Sequence, residues 1–162
     1  MVVASCGLFA IKKVQAGRRA IQAERDMHGL FMQLGRRISF GLVPLPELID
    51  ELCQSKSVRG YDFLEKARAL ALEEECYQTA WQKAVDWYQN EKGISKETTE
   101  LLLAVGRQLG TMDGETETER LVQAAKTLEE LIDEEETEFK KTEKTTISIG
   151  FLGGIFVVIL FL

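Results

Sequence analysis

Residues of the types that do chemistry are few in this chain and lie far apart. The single histidine, His28, stands beside Gly29 with no carboxylate or cysteine at ligand spacing, the setting of an ordinary packed or surface histidine. Cys6, Cys53 and Cys76 are odd in number and form no CxxC or His-Cys spacing. Neither a disulfide framework nor a metal site is indicated, and reduced, buried thiols are expected. Glu73 to Glu75 and Glu134 to Glu136 are carboxylate triplets, but consecutive residues on a helix point in different directions, so both read as solvated faces. There is no P-loop, GxGxxG, GxSxG or HExxH. Trp81, Trp87 and Tyr88 could stack on a ligand. At their helical spacing a core or partner-facing cluster is the better reading, and no run of basic residues interleaves them to favour nucleic acid. No catalytic, metal or cofactor residue is assigned, and an enzyme is not expected.

The bulk properties point elsewhere. With 162 residues and 45% apolar content, the chain has room for one modest core plus membrane segments. The net charge of −6 disfavours nucleic acid as a partner, and it hides an uneven distribution. Residues 1–40 carry seven Lys/Arg against two acids, whereas residues 113–138 carry eleven acids against two bases.

The element with the clearest physical demand is the last. Thr145 to Leu162 holds eighteen residues without a charge, which as a helix gives roughly 27 Å, enough to cross a hydrocarbon core of roughly 30 Å with snorkelling flanks. A helix apolar on every face must be enclosed by protein or lipid, and so short a chain could hardly enclose it, so a transmembrane helix is predicted. Lys140, Lys141 and Lys144 precede it on one side, which by the positive-inside rule puts the preceding chain in the cytoplasm. Gly150 and Gly154 form a GxxxG step that would let another helix approach closely in lipid. At the other end, residues 1–11 are uncharged and meet Lys12, Lys13, Arg18 and Arg19. Eleven residues are too few to span alone, and charges after the apolar stretch are in the wrong order for a signal peptide. The order fits the cytoplasmic end of a first membrane segment, one reading being that its beginning lies upstream of Met1.

Between these ends every segment reads as helix. Ile21, Met27, Leu30, Phe31, Leu34 and Ile38 mark an amphipathic helix from Val14 to Phe40, weakened locally by Gly17, Gly29 and Gly35. Pro44 and Pro46 fix a corner, and Pro46 opens a short helix to Gln54. Tyr61 to Ala71 and Tyr77 to Tyr88 continue at helical spacing, the latter closed by Gly93. Ser95 caps a helix from Lys96 to Leu109 that stops at Gly110, and Asp113 caps a sixth helix that runs toward the membrane. Nothing alternates with period two long enough to make a strand. The expected fold is an all-α, six-helix cytoplasmic bundle (residues 12–144) between an N-terminal membrane segment (1–11) and a C-terminal transmembrane helix (145–162).

Gly41-Leu-Val-Pro-Leu-Pro46 after a basic amphipathic helix, Leu109-Gly110-Thr-Met-Asp113 opening a long acidic helix, and Ile149-Gly150 before a span ending in Val-Ile-Leu together resemble the stage III sporulation protein AB family. Pro44, Leu45, Pro46, Leu109, Gly110 and Asp113 carry the resemblance. The stretch from Phe31 to Leu52 is also similar to the cytoplasmic domain of the F-type platform proteins of type II secretion and type IV pilus systems. The resemblance implies a non-enzymatic membrane platform, in the mother-cell membrane around the forespore of an endospore-forming bacterium. There it would belong to the secretion-like channel joining the two cells. Its implied partners are the complex's ATPase, stage III sporulation protein AA, and the other channel subunits, together with membrane lipid and further copies of itself. A tail-anchored helical adaptor that captures soluble partners is the alternative.

Overall fold

The computed structural model describes the backbone of residues 2–40, 45–55, 58–74, 76–109 and 114–160, and the side chains of those between 12 and 142 apart from residues 40, 45, 46 and 55. All of its regular structure is helical: α1 (Val2–Phe40), α2 (Leu45–Ser55), α3 (Tyr61–Ala71), α4 (Tyr77–Lys92), α5 (Lys96–Gln108) and α6 (Gly114–Leu160). The six expected helices are present, with α1 a single helix of 39 residues that takes in the uncharged N-terminal stretch, and with the ends of α2 and α5 shifted by a residue.

The order of events along the chain follows local signals. Gly93 ends α4 in the left-handed region (φ 74°), and its N–H donates to the carbonyl of Gln89 at 2.8 Å. Two residues later the Ser95 hydroxyl accepts from the Thr98 N–H at 3.2 Å and starts α5. One bond thus serves an orphan carbonyl and the other an orphan amide.

Helices α3, α4 and α5 make a compact head around aromatic side chains. Phe63 meets Trp81 edge to face at 4.8 Å between centroids and meets Tyr88 in the same way at 5.5 Å, the geometry that ring quadrupoles favour. Trp81 lies against Gly106 in the middle of α5, where any Cβ would collide with the indole ring. Its Nε1–H donates to the carbonyl of Leu102 at 2.8 Å. Leu48, Ile49, Leu52 and Cys53 form the buried face of α2, and α2 is joined to α3 by the Asp50–Arg68 ion pair. The aromatic cluster is therefore core, as its spacing suggested. Trp87 is the half-buried member, with Lys66 Nζ 5.9 Å from its ring.

The most extensive helix pairing is that of α1 with α6. The two are antiparallel: Gly17 faces Phe139, Gly35 faces Leu121, and Ile38 touches Gly114. Met27, Leu30, Phe31 and Leu34 on one side and Leu121, Ala125, Leu128 and Ile132 on the other fill the seam, at the spacings of three and four that knobs-into-holes packing requires. Gly17, expected to weaken α1, is instead a point of close approach, because a Cβ there would strike the Phe139 ring. At about 1.5 Å per residue the 47 residues of α6 extend roughly 70 Å, well beyond the head.

No helix of the described residues is long and apolar enough to cross a membrane. The expected span, Thr145–Leu162, falls outside that description, except that its backbone is helical to Leu160.

Candidate functional site

The seam between α1 and α6 is largely apolar; Thr118 of α6 donates its hydroxyl to the Gly35 carbonyl at 3.3 Å, and carboxyl groups enter further along. Glu24 sits on the buried stripe of α1 between Ile21 and Met27 and is fully enclosed, with 0% exposure. Its Oε1 accepts two hydrogen bonds from the residue that caps α5, one from the Ser95 N–H and one from the Ser95 hydroxyl, both at 2.9 Å. Its Oε2 is enclosed with no hydrogen-bond donor. The Ser95 carbonyl in turn accepts from the Thr99 hydroxyl at 2.7 Å. One carboxyl thus ties the start of α5 to the middle of α1.

Glu135 of α6 reaches the same place. Burial pushes its carboxyl up to about 7, the negative charges of Glu24 and Glu97 and the contact with Glu24 add to the rise, and the Ser95 hydroxyl opposes it. The main cause is desolvation, which disfavours the charged form, and the neighbouring carboxylates add repulsion to it. Two carboxyl groups, Glu24 and Glu135, thus lie beside one another where α1, α5 and α6 meet.

This pair corrects the reading of Glu134–Glu136 as one solvated face. Glu134 is exposed, Glu135 turns into the seam, and Glu136 pairs with Arg25 of α1. The signal was present in the register: Glu24 continues the stripe Ile21–Met27–Leu34, and Glu135 continues Leu121–Leu128 at the next interval of seven. A charged residue on an apolar stripe marks a buried charge that needs a partner.

The other chemistry-bearing residues have ordinary settings. His28 is half-buried, and Glu74 pairs with Lys83. Cys53 is buried as expected, but Cys76 is exposed, and its thiol hydrogen-bonds the Thr79 hydroxyl at 3.0 Å. Among the described residues no group of three or more His, Cys, Asp or Glu is placed to hold a metal ion.

The motif residues are spread along the chain. Pro46 lies in the first turn of α2. Leu109 is buried and extended (φ −64°, ψ 128°), and it closes α5 one residue earlier than the spacing predicted. Pro44, Gly110 and Asp113 fall outside the described residues, as do the side chains of Leu45, Lys144, Gly150 and Gly154. Leu109 and Leu121 help to line an apolar groove of about 230 Å³ between α5 and α6, along with Leu101, Val105 and Ala124. Arg120 closes one end by donating to the side-chain Oε1 of Gln108 at 2.6 Å.

Lys12, Lys13, Arg18, Arg19, Lys140 and Lys141 are all exposed, and the antiparallel register brings the two groups together. Six residues before Gly17 is Ile11, where the N-terminal uncharged stretch ends, and six residues after Phe139 is Thr145, where the C-terminal one begins. The two stretches therefore start at the same height on adjacent helices, and the basic residues ring the pair just below.

The described residues define an all-α protein of six helices organised on an antiparallel pair of long helices. The family model of stage III sporulation protein AB matches residues 1–162, the whole chain, and the protein belongs to that family. Membership implies a role at stage III of sporulation. No curated protein and no solved structure matches the chain.

Proposed function

We propose that the protein is a non-enzymatic membrane platform subunit of the mother cell-to-forespore channel, with residues 12–144 in the cytoplasm. The supporting observation is the common height at which the uncharged stretches of α1 and α6 begin. If Thr145 to Leu162 enters the membrane, the antiparallel register carries Val2 to Ile11 in beside it, and Gly150 and Gly154 fall in the part of α6 that α1 accompanies. Helix α6 is unbroken from Gly114 to Leu160, so a force or orientation applied at the head would be passed to the membrane by one rigid rod braced by α1. The force would come from the complex's ATPase, stage III sporulation protein AA, and other channel subunits or further copies would dock around the rod. The function needs no cofactor and no nucleic acid.

Topology tests this reading. With protease-sensitive tags on either end of the full chain in cell membranes, both tags should be cleaved from outside the cytoplasm. A cytoplasmic N-terminal tag with an external C-terminal tag would replace the platform by the tail-anchored adaptor. ATPase coupling is tested by co-purifying the detergent-solubilised full chain with the ATPase after charge reversal at exposed sites, Arg36 and Arg37 in one variant and Glu129, Glu130 and Glu134 in another. Glu135 is unsuitable because it is partly buried beside Glu24, and Glu136 because it already pairs with Arg25 and Lys140.

A further inference from the structure

Residues 12–19 and 137–144 occupy one level of the α1–α6 pair, as the Gly17–Phe139 contact fixes. They carry seven Lys/Arg against two acids, while the rest of the chain carries thirteen against twenty-four. The segment next to the uncharged stretches is thus about +5 in a protein whose remainder is −11. Its basic residues also point around the pair. The Cβ position of Gly17 faces α6; at 100° per residue Lys13 lies to one side of that direction, Arg18 to the other, and Lys12 and Arg19 opposite.

We propose that this collar is a binding surface for anionic phospholipid headgroups, an inference that rests on the membrane reading above. Lysine and arginine stems lie along apolar surface while their charged ends reach the phosphate layer, and clusters of four to eight such residues beside a membrane segment attract acidic lipids. Lys140 and Lys141 also approach Glu136 and Glu138, at 3.2 Å and 2.9 Å, but both lysine side chains are about 70% exposed, and ion pairs of exposed lysines are weak. The acidic remainder supplies the complementary effect. Its nearest residues are repelled by the same surface, and the head lies beyond the Debye length of about 10 Å, so the pair is held upright rather than laid on the bilayer.

The test uses the full chain in vesicles of phosphatidylcholine containing spin-labelled phosphatidylglycerol or spin-labelled phosphatidylcholine, with the fraction of each label immobilised at the protein as the readout. The expected result is a several-fold preference for phosphatidylglycerol at low salt that falls toward one at 0.5 M salt, on the order expected from screening. The variant with Lys12, Lys13, Arg18, Arg19, Lys140 and Lys141 each changed to Gln should lose the preference. A control with Arg36, Arg37, Lys96 and Lys126 changed to Gln should keep it. Helicity and thermal unfolding of both variants show that the fold is retained; if the collar variant is unfolded, Lys12→Gln with Lys13→Gln alone should still lower the preference. A chain that inserts but shows no preference, or a collar variant that keeps it, overturns the lipid surface and leaves the membrane reading standing. A chain that does not float with pure phosphatidylcholine vesicles overturns both.

Discussion

Trp81 in the head and Glu24 in the long-helix pair are both buried side chains with a polar atom, and their surroundings treat them oppositely. The indole N–H has its carbonyl at Leu102, and the ring is held between Phe63 and Gly106. Glu24 has two donors on one oxygen and none on the other. Trp81 is thus paired whatever the pH, although the Tyr77 hydroxyl and Thr98 Oγ1 in the same head are buried without partners, whereas Glu24 lies beside a carboxyl, Glu135, that burial raises to about 7. The pH-sensitive group therefore lies in the long-helix pair and not beside Trp81.

The sharpest way to break that contrast is at its fixed end. Trp81→Ala should cost about 3–5 kcal/mol, the range for emptying a large aromatic site, read as a lowered midpoint in denaturant unfolding of the detergent-solubilised chain. The next comparison sets Gly106→Ala against Gly17→Ala. Both changes gain about 1 kcal/mol of helix propensity. At position 106 the new methyl meets an indole that has nowhere to turn, and overpacking of about 1–3 kcal/mol plus a strained hydrogen bond should leave a net loss of about 1–2 kcal/mol. At position 17 it meets the edge of Phe139, which is only partly buried, so a small rotation should bring the net change near zero. Equal losses at both sites would show that the seam is packed as tightly as the head.

Helix order, the caps at Gly93 and Ser95 and the aromatic core were legible in the sequence because each rests on a local signal: a spacing, a left-handed glycine, a hydroxyl before a helix. Two features were not. The role of Gly17 depends on a residue more than a hundred positions away, and sequence spacing on α1 alone reads it as a weak point. The acid pair was hidden by counting Glu134 to Glu136 as one group, although the apolar periodicity separates Glu135 from its neighbours. The pairing of the basic first helix with the acidic last one could be posed as a question but not answered from charge, since an apolar seam decides it.

Glu135 gives the third prediction, with a definite sign. Its carboxyl is raised from 4.5 to about 7 in the folded protein, so between those values the folded state holds a proton that the unfolded state has released, and stability falls as pH rises through that window. The carboxyl is only partly enclosed, so after solvent screening the loss should be about 1–2 kcal/mol rather than the full value of the shift. Glu135→Gln is neutral at every pH. The variant should lose the slope between pH 4.5 and 7 and be more stable than the parent at pH 8. A parent whose stability is flat across that window would show that the Glu135 carboxyl is not raised in the folded protein.

The smallest effect should come from the most visible contact between the long helices. Arg25 is half exposed and pairs with Glu136, which Lys140 also approaches at 3.2 Å. Arg25→Ala therefore leaves Glu136 with a second cation, and the loss should be below about 1 kcal/mol and disappear in 0.5 M salt, as for other exposed pairs. The measurement is the difference in unfolding midpoint between the variant and the parent at low and high salt. A loss above about 2 kcal/mol that survives salt would mean that charge, and not the row from Met27 to Leu34 against Leu121 to Ile132, joins α1 to α6. The oppositely charged helices would then be the organising interaction rather than a consequence of the seam.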